Sequence, residues 1–382
     1  MATYVQDPEI AAATLVEELG AIIADIYNGI EVRLQQDLAR RIRRAMDVYP
    51  ELPERLRAIT ELQQLAADQI ARYAPPQLAE ELIRLAAEAG TAAAVARLAL
   101  APRLPRSLGL TPTSVNAAAL LALDLRNRFE DVNRRILRYP DDAYKEIVAR
   151  LAPDMLVGGQ SLALTQRRII QNFLREGVTG FVDVSGRRWR IGSYTEMATR
   201  TATMRAWQDA GLARMAASGI TLVDVVVGRT ACKHCAPWAG RVLSTDGRTG
   251  WVEVEHATED RTVRVFVHST VDAARATHFQ HPNCRCILVA HLPGLSVPQD
   301  ATTWDPEASK AQERQRFLER RVRAAKRDAA LAGDPAELAS AKADIRDGQA
   351  ALREHTAEAG LLRRNYREQL HFADGGSVNP RG

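Results

Sequence analysis

Apolar residues recur every three or four positions from residue 8 to about residue 47. Leu15, Leu19, Ile22, Ile26, Ile30, Leu34 and Leu38 fall on one face of a 3.6-residue period, which predicts one long amphipathic helix. Asp7 and Pro8 supply an N-cap and a first-turn proline. Pro50 and Pro53 end that element, a second helix starts near Glu54, and Pro75-Pro76 break it. The alanine-rich stretch from Gln77 to about Ala101 reads as a third helix. "APRLPRSLGLTPTS" (101–114) is a Pro/Gly/Ser linker and the first plausible domain boundary. Helices are expected again from about Val115 to Arg138, from Asp141 to Ala152, and from Gln160 to Glu176.

The period changes from 3.6 to 2 at Gly177. In "GFVDVSGRRWRIGSY", Phe181, Val182 and Val184 lead into Ser185-Gly186, and Trp189 and Ile191 return, which predicts a β-hairpin. "YTEMATRTATMRAWQDAGLARMAASG" is a helix closed by a glycine. "ITLVDVVV" (220–227) is a β-branched run that reads as a buried strand. Trp251 to Val267 alternates, and "ILVAHLPG" follows as another strand. From Pro306 to about Phe372 the pattern is helical and highly charged, divided by Gly333-Asp334-Pro335, with "GGSVNPRG" as a loose tail.

These elements define an α+β chain that is mostly helical, with a small β-rich core between long N- and C-terminal helical segments. Four regions are expected: helices over 1–112, a helical middle region over 113–176, an α+β core over 177–300, and charged helices with a tail over 301–382. Composition supports the helical bias. Hydrophobic residues make up 46% of the 382-residue chain but aromatics only 5%, so alanine and leucine carry the apolar mass. The formal charge of +4 is compatible with contact to DNA or to an acidic partner and establishes neither. In the charged C-terminal helices acidic and basic residues nearly balance, as on a solvated face laced with i,i+4 pairs. No apolar run reaches the ~18 residues of a membrane span. The first ten residues lack the basic and apolar segments of a signal peptide, so reduced thiols are expected.

All four cysteines belong to one constellation. Cys232 and Cys235 form a C-x-x-C in "RTACKHCAPWAG", Cys284 and Cys286 close "HPNCRC", and His281 precedes Cys284 by three residues. Two thiol pairs can each bring two sulfurs to about 2.3 Å from one zinc ion, giving a closed tetrahedral site with no position for a catalytic water. With 48 residues between Cys235 and Cys284, the metal would staple the ends of a β insertion rather than organise a free-standing finger. The tight C-x-C spacing makes His281 an alternative ligand, with Cys232, Cys235 and either Cys284 or Cys286. A reduced metal-free cluster, disulfides, or a His281 that serves only the turn at Pro282 are the competing readings. His234 is expected to be an exposed bystander pointing away from the metal. Trp238 reads as a packing lid over the knuckle.

Signals for an enzyme are weak. The chain has no H-E-x-x-H, G-x-G-x-x-G, Walker loop or G-x-S-x-G. Glu196, Arg200 and Thr201 lie on one helix, where Glu196 and Arg200 are spaced as an i,i+4 pair or a buried polar clamp rather than a catalytic dyad.

Three segments in order carry a resemblance: "YTEMATRT" (194–201), "GRTACKHCAPWAGRVLS" (228–244) and "STVDAARATHFQHPNCRCILVAHLPG" (269–294). "FVDVSGRRWRIGSY" (181–194) and "RQRFLERRVRAAKR" (314–327) fit beside them. Together they resemble the phage minor capsid protein family, within the wider Mu-F-like head morphogenesis group, from about residue 160 to 370. The resemblance implies a low-copy structural component of a tailed-phage head, located in the virion and in the host cytoplasm during assembly, and not an enzyme. It implies the portal protein and other head proteins as partners, oligomeric in the virion, with roles in head assembly, DNA packaging or ejection. By position, Cys232, Cys235, His281, Cys284 and Cys286 match the family's cysteine/histidine motif. Relatives commonly carry histidine where Cys286 stands, as a metal ligand would tolerate, which implies Cys232, Cys235, Cys284 and Cys286 as the ligands and His281 as a structural residue beside them. Arg200 and Thr201 match its R-T pair. Two alternatives stand beside this reading. Basic "RRIRR" (40–44) and residues 314–327 could contact genomic DNA. An effector enzyme would need an open coordination position or a nucleotide pocket.

Overall fold

The computed structural model describes residues 8–47, 52–101, 112–151, 179–182, 188–228, 231–301 and 303–370. The expected helix over 160–176, the hairpin turn at Ser185-Gly186, most of the 101–114 linker and the C-terminal tail lie outside them. The chain is mostly helical with small mixed sheets in its middle. Its eight α-helices among the described residues are α1 (Pro8–Asp47), α2 (Leu52–Tyr73), α3 (Leu78–Leu98), α4 (Pro112–Leu151), α5 (Ile191–Ala217), α6 (Val271–Ala276), α7 (Pro306–Leu331) and α8 (Pro335–Glu358). The strands are β1 (Thr179–Val182), β2 (Arg188–Arg190), β3 (Leu222–Val226), β4 (Val242–Ser244), β5 (Gly250–Glu255), β6 (Thr262–Val267), β7 (Ser269–Thr270) and β8 (Ile287–Ala290). No described helix is long and apolar enough to cross a membrane.

The chain divides into two compact units. The first comprises 1–20, 77–126 and 197–312; the second comprises 21–76, 127–196 and 313–382. In the first unit the sheet runs β7-β4-β3-β8. β3 is antiparallel to both neighbours, with Val223 opposite Leu243 and Ala290, while β4 and β7 are parallel. Both faces of this sheet are covered, which is why "ITLVDVVV" reads as a continuous apolar run rather than an alternation. Val223, Val225, Leu288 and Ala290 pack with Leu98, Met215, Phe279, Cys235 and Cys286. On the other face, Ile287 and Val289 meet Met204 and Trp207 of α5. The β5–β6 hairpin alternates instead, and its Val252, Val254, Val265 and Val267 pack with Leu222 and Val242.

The second unit is helical around Ile23, Tyr27, Ile30, Leu34, Leu38, Val132, Ile136, Leu318, Val322, Ile345 and Leu352, all buried. Tyr27 and Phe129 meet with ring centroids 5.7 Å apart. The α1 stripe differs from the expectation at one position. Ile22 is 51% exposed, and Ile23 and Tyr27 take its place on the buried face. α4 also departs from its expected break. Pro140 lies inside one continuous helix rather than ending it. The apolar stripe Val132, Ile136, Tyr139 and Ala143 runs buried through the proline, so packing on both sides holds the helix together despite the lost backbone bond. α8 is shorter than expected. Gly360 adopts φ +61°, and the N–H of Leu361 reaches back to Thr356 O at 2.9 Å, the left-handed stop that ends a helix. The start of α5 at Ile191 removes that residue from the returning hairpin strand.

Candidate metal centre

The first knuckle follows β3 directly. The N–H groups of Cys235 and Ala236 both donate to Cys232 O, at 3.0 and 2.9 Å, which wraps the C-x-x-C into a turn. Pro237 lies in the 3-10 turn Ala236–Trp238 that follows. The second knuckle follows α6, a short helix with no counterpart in the sequence reading, N-capped by Thr270 through Ala273 N. His278, Gln280 and Asn283 have φ of 67°, 56° and 64°. Three left-handed non-glycine residues within six positions mark a backbone held in place by its surroundings.

The two knuckles meet. Cys232 Sγ lies 3.1 Å from His281 Nε2, and Cys235 Sγ lies 3.5 Å from Cys284 Sγ. Two groups of donor atoms can each surround an ion: Cys232, Cys235 and His281, and Cys235, Cys284 and Cys286. Cys235 belongs to both, so all four cysteines and His281 form one continuous cluster. The donor set is chemically right for zinc or another thiophilic metal, since each group brings three soft or imidazole donor atoms within 4.8 Å of one another. His281 Nδ1 lies 2.8 Å from Pro282 O. A carbonyl only accepts, so Nδ1 carries the proton and Nε2 is left facing the thiols, the tautomer a metal-binding histidine needs.

The thiols differ in acidity. Hydrogen bonds from Cys235 and then Cys286 hold Cys284 down at about 3. The same sharing pushes Cys235 up, through Cys284 first, and pushes Cys286 up, through Cys235 and Cys284. At Cys232 burial opposes ionisation, but the backbone N–H of His234 and the His281 ring outweigh it and the thiol is lowered. Burial favours neutral His281, yet Cys232 and the Pro282 carbonyl reverse this and raise it. The cluster therefore favours the thiolate at Cys284, eases ionisation of Cys232 and keeps protons on Cys235 and Cys286, which a bound metal would displace.

His234 lies outside both donor groups but is less exposed than expected. It is half-buried and sits edge-on to His278 at 5.5 Å and to His281 at 6.3 Å between ring centroids. Trp238 does act as a lid. It packs on Phe279 with centroids 6.3 Å apart and carries Arg241 over its outer face at 5.4 Å.

The structure also gives the R-T pair a role. Thr201 Oγ donates to Met197 O at 2.8 Å and accepts from Asn283 N at 3.2 Å, tying the left-handed residue before Cys284 to α5. Arg200 is buried and forms an ion pair with Glu17 of α1. Arg285, between Cys284 and Cys286, pairs with the same carboxylate oxygen. Gly20 permits this crossing, because a Cβ there would overlap the Arg200 side chain. Glu17 and Arg285 escaped the sequence reading. They are joined across more than two hundred residues, and no local spacing signals the contact.

A mostly helical chain whose small central sheet is flanked by two thiol knuckles, with an R-T helix braced against them, is the class of protein defined here. The model of phage minor capsid protein 2 matches residues 14–357, and the chain belongs to that family. No curated protein and no solved structure matches it.

Proposed function

We propose that this protein is a zinc-stapled structural component of a tailed-phage head that joins the portal protein and neighbouring head proteins during assembly. Family membership over residues 14–357 carries the reading, since that family is built of structural head proteins. The amphipathic helices α1, α7 and α8 would supply contacts to portal or to further copies of the chain. The protein should copurify with portal from assembling heads; its absence from purified heads and virions overturns the reading.

Within it, a zinc ion is held by Cys232, Cys235, Cys284 and His281. Cys286 is the buried sulfur behind Cys284, whose thiol it supports. The 3.1 Å approach of His281 Nε2 to Cys232 and the fixed Nδ1 favour histidine as the fourth ligand. Zinc would contribute on the order of 10 kcal/mol to holding the knuckles together. Metal analysis should find one zinc per chain, and X-ray absorption should find three sulfurs and one nitrogen. Four sulfurs would replace His281 by Cys286, and an absence of bound metal after purification without chelators removes zinc altogether.

A further inference from the structure

The second unit contains a cavity of about 240 Å³ with an unusual balance of charge. Its lining includes five arginines, Arg190, Arg320, Arg323, Arg327 and Arg367. Only two acids, Asp25 and Glu196, line it among the described residues. Arg320, Arg323 and Arg327 are spaced i, i+3, i+7 on α7 and so share one face of that helix. Arg190 ends β2, and Arg367 lies in a 3-10 turn over Asn365–Glu368.

Arg327 decides the reading. It is 9% exposed, and no ion pair joins it to an acid among the described residues. Burial, and next the repulsion of Arg190, draw it down to about 9, against the attraction of Glu31 and Asp328. Arg323 is lowered by burial as well, with Glu196 and Glu319 working against that, and its NH1 donates to the carbonyl oxygen of Arg367. Asp25 offers little compensation near neutral pH, because burial pushes its carboxyl up to about 7. Gathering guanidinium groups out of bulk water costs desolvation and repulsion unless an anion joins them.

We propose that this cavity binds a compact oxyanion of the phosphate class, gripped by the forked N–H groups of Arg323, Arg327 and the arginines around them. A guanidinium fork matches two oxygens of a phosphate at once. The lining holds five guanidiniums against Asp25 and Glu196, and Arg367 also faces Glu319 at 3.8 Å; the positive excess that is left suits a dianion better than a single carboxylate. The volume suits a small ion, since pockets for larger organic ligands run from about 300 to 1,000 Å³.

The test is calorimetric titration of the full chain, in chloride buffer, with inorganic phosphate and with acetate. Phosphate should bind saturably and more tightly than acetate. Arg327→Gln should weaken it by about tenfold or more, the value of one lost charged hydrogen bond. Because Arg327 is buried, Arg320→Gln at the exposed rim is the second variant. It should keep the parent's far-UV circular dichroism and still bind phosphate more weakly. No phosphate binding, binding no tighter than acetate, or parental affinity in both variants overturns the proposal. A short oligonucleotide without terminal phosphates separates the sources once phosphate binds. If it displaces the ion, the natural ligand is a nucleic-acid backbone; if the two coexist, it is free phosphate.

Discussion

Thr201 accepts a hydrogen bond from the backbone N–H of Asn283 at 3.2 Å. This single contact fastens the left-handed corner of the second knuckle to the long helix α5. Thr201→Val removes the acceptor while keeping the side chain's shape, and it leaves the Asn283 N–H without this partner. The cost to folding should be about 1 kcal/mol. The larger effect should be on the metal, because outer partners that orient ligands commonly change affinity by about 10–100-fold. Competition with a chromogenic zinc chelator checks this. Thr201→Ser should retain zinc like the parent, and equal retention by the valine variant would remove Thr201 from the support of the site.

Glu17 stands between two guanidiniums, Arg200 and Arg285. Replacing its charge with an amide, Glu17→Gln, leaves both cations facing a neutral group in a mostly buried setting. Breaking such a buried pair costs about 3 kcal/mol or more. Urea denaturation should show the loss as a lower midpoint with an unchanged slope. Because Arg285 lies between Cys284 and Cys286, the variant should also release zinc faster. A midpoint within error of the parent would mean that the triad contributes no net stability.

What could be read from the sequence follows the range of the forces involved. The 3.6 period and the prolines place α1, α2 and α3 almost to the residue, because these signals are local. The period alone could not decide between Ile22 and Ile23 as the inward residue, since neighbouring apolar positions satisfy it almost equally. Pro140 looked like a helix end, and only the buried stripe through Tyr139 and Ala143 shows why it is not. The thiol cluster was legible because ligand chemistry restricts residue type and spacing. Arg200 was legible as an i,i+4 neighbour of Glu196 or part of a buried polar clamp, but not as the partner of Glu17. Its partner Glu17 lies 183 residues away, and neither composition nor period carries information over that distance.

Asp25 makes stability depend on pH in the second unit. Burial raises its carboxyl from 3.8 to about 7, Arg323 pulls it back, and Glu196 pushes it further up. Arg190, Arg320, Arg327 and Arg367 line the same cavity. An acid whose folded pKa lies above its unfolded value costs stability. The cost is absent below the unfolded pKa, grows between 3.8 and about 7, and is complete above that. Asp25→Asn should therefore raise the melting temperature at pH 8, with a smaller gain at pH 5, in chloride buffer. A gain that is equal at both values, or a loss at pH 8, contradicts the raised pKa.

Gly90 of α3 lies against the backbone of α5 in the first unit. A Cβ built on it would overlap the carbonyl oxygen of Trp207 on α5. The obstacle is backbone, so no side-chain rotation can relieve it, and one helix must shift. Intrinsic propensity acts in the opposite direction, since alanine is favoured over glycine inside a helix by about 1 kcal/mol. Forced overpacking of a core typically costs about 1–3 kcal/mol, and contact with fixed backbone belongs at the upper end. Gly90→Ala should therefore lower stability despite the better helix former. Gly211, on the opposite side of the same crossing, is the internal control. Its Cβ would stand 3.4 Å from the carbonyl oxygen of Gly90, an ordinary contact, so Gly211→Ala should leave stability unchanged or raise it slightly. Chemical denaturation of the two variants side by side separates steric cost from propensity. If Gly90→Ala matches Gly211→Ala, the helices do not approach as closely as Gly90 and Trp207 require.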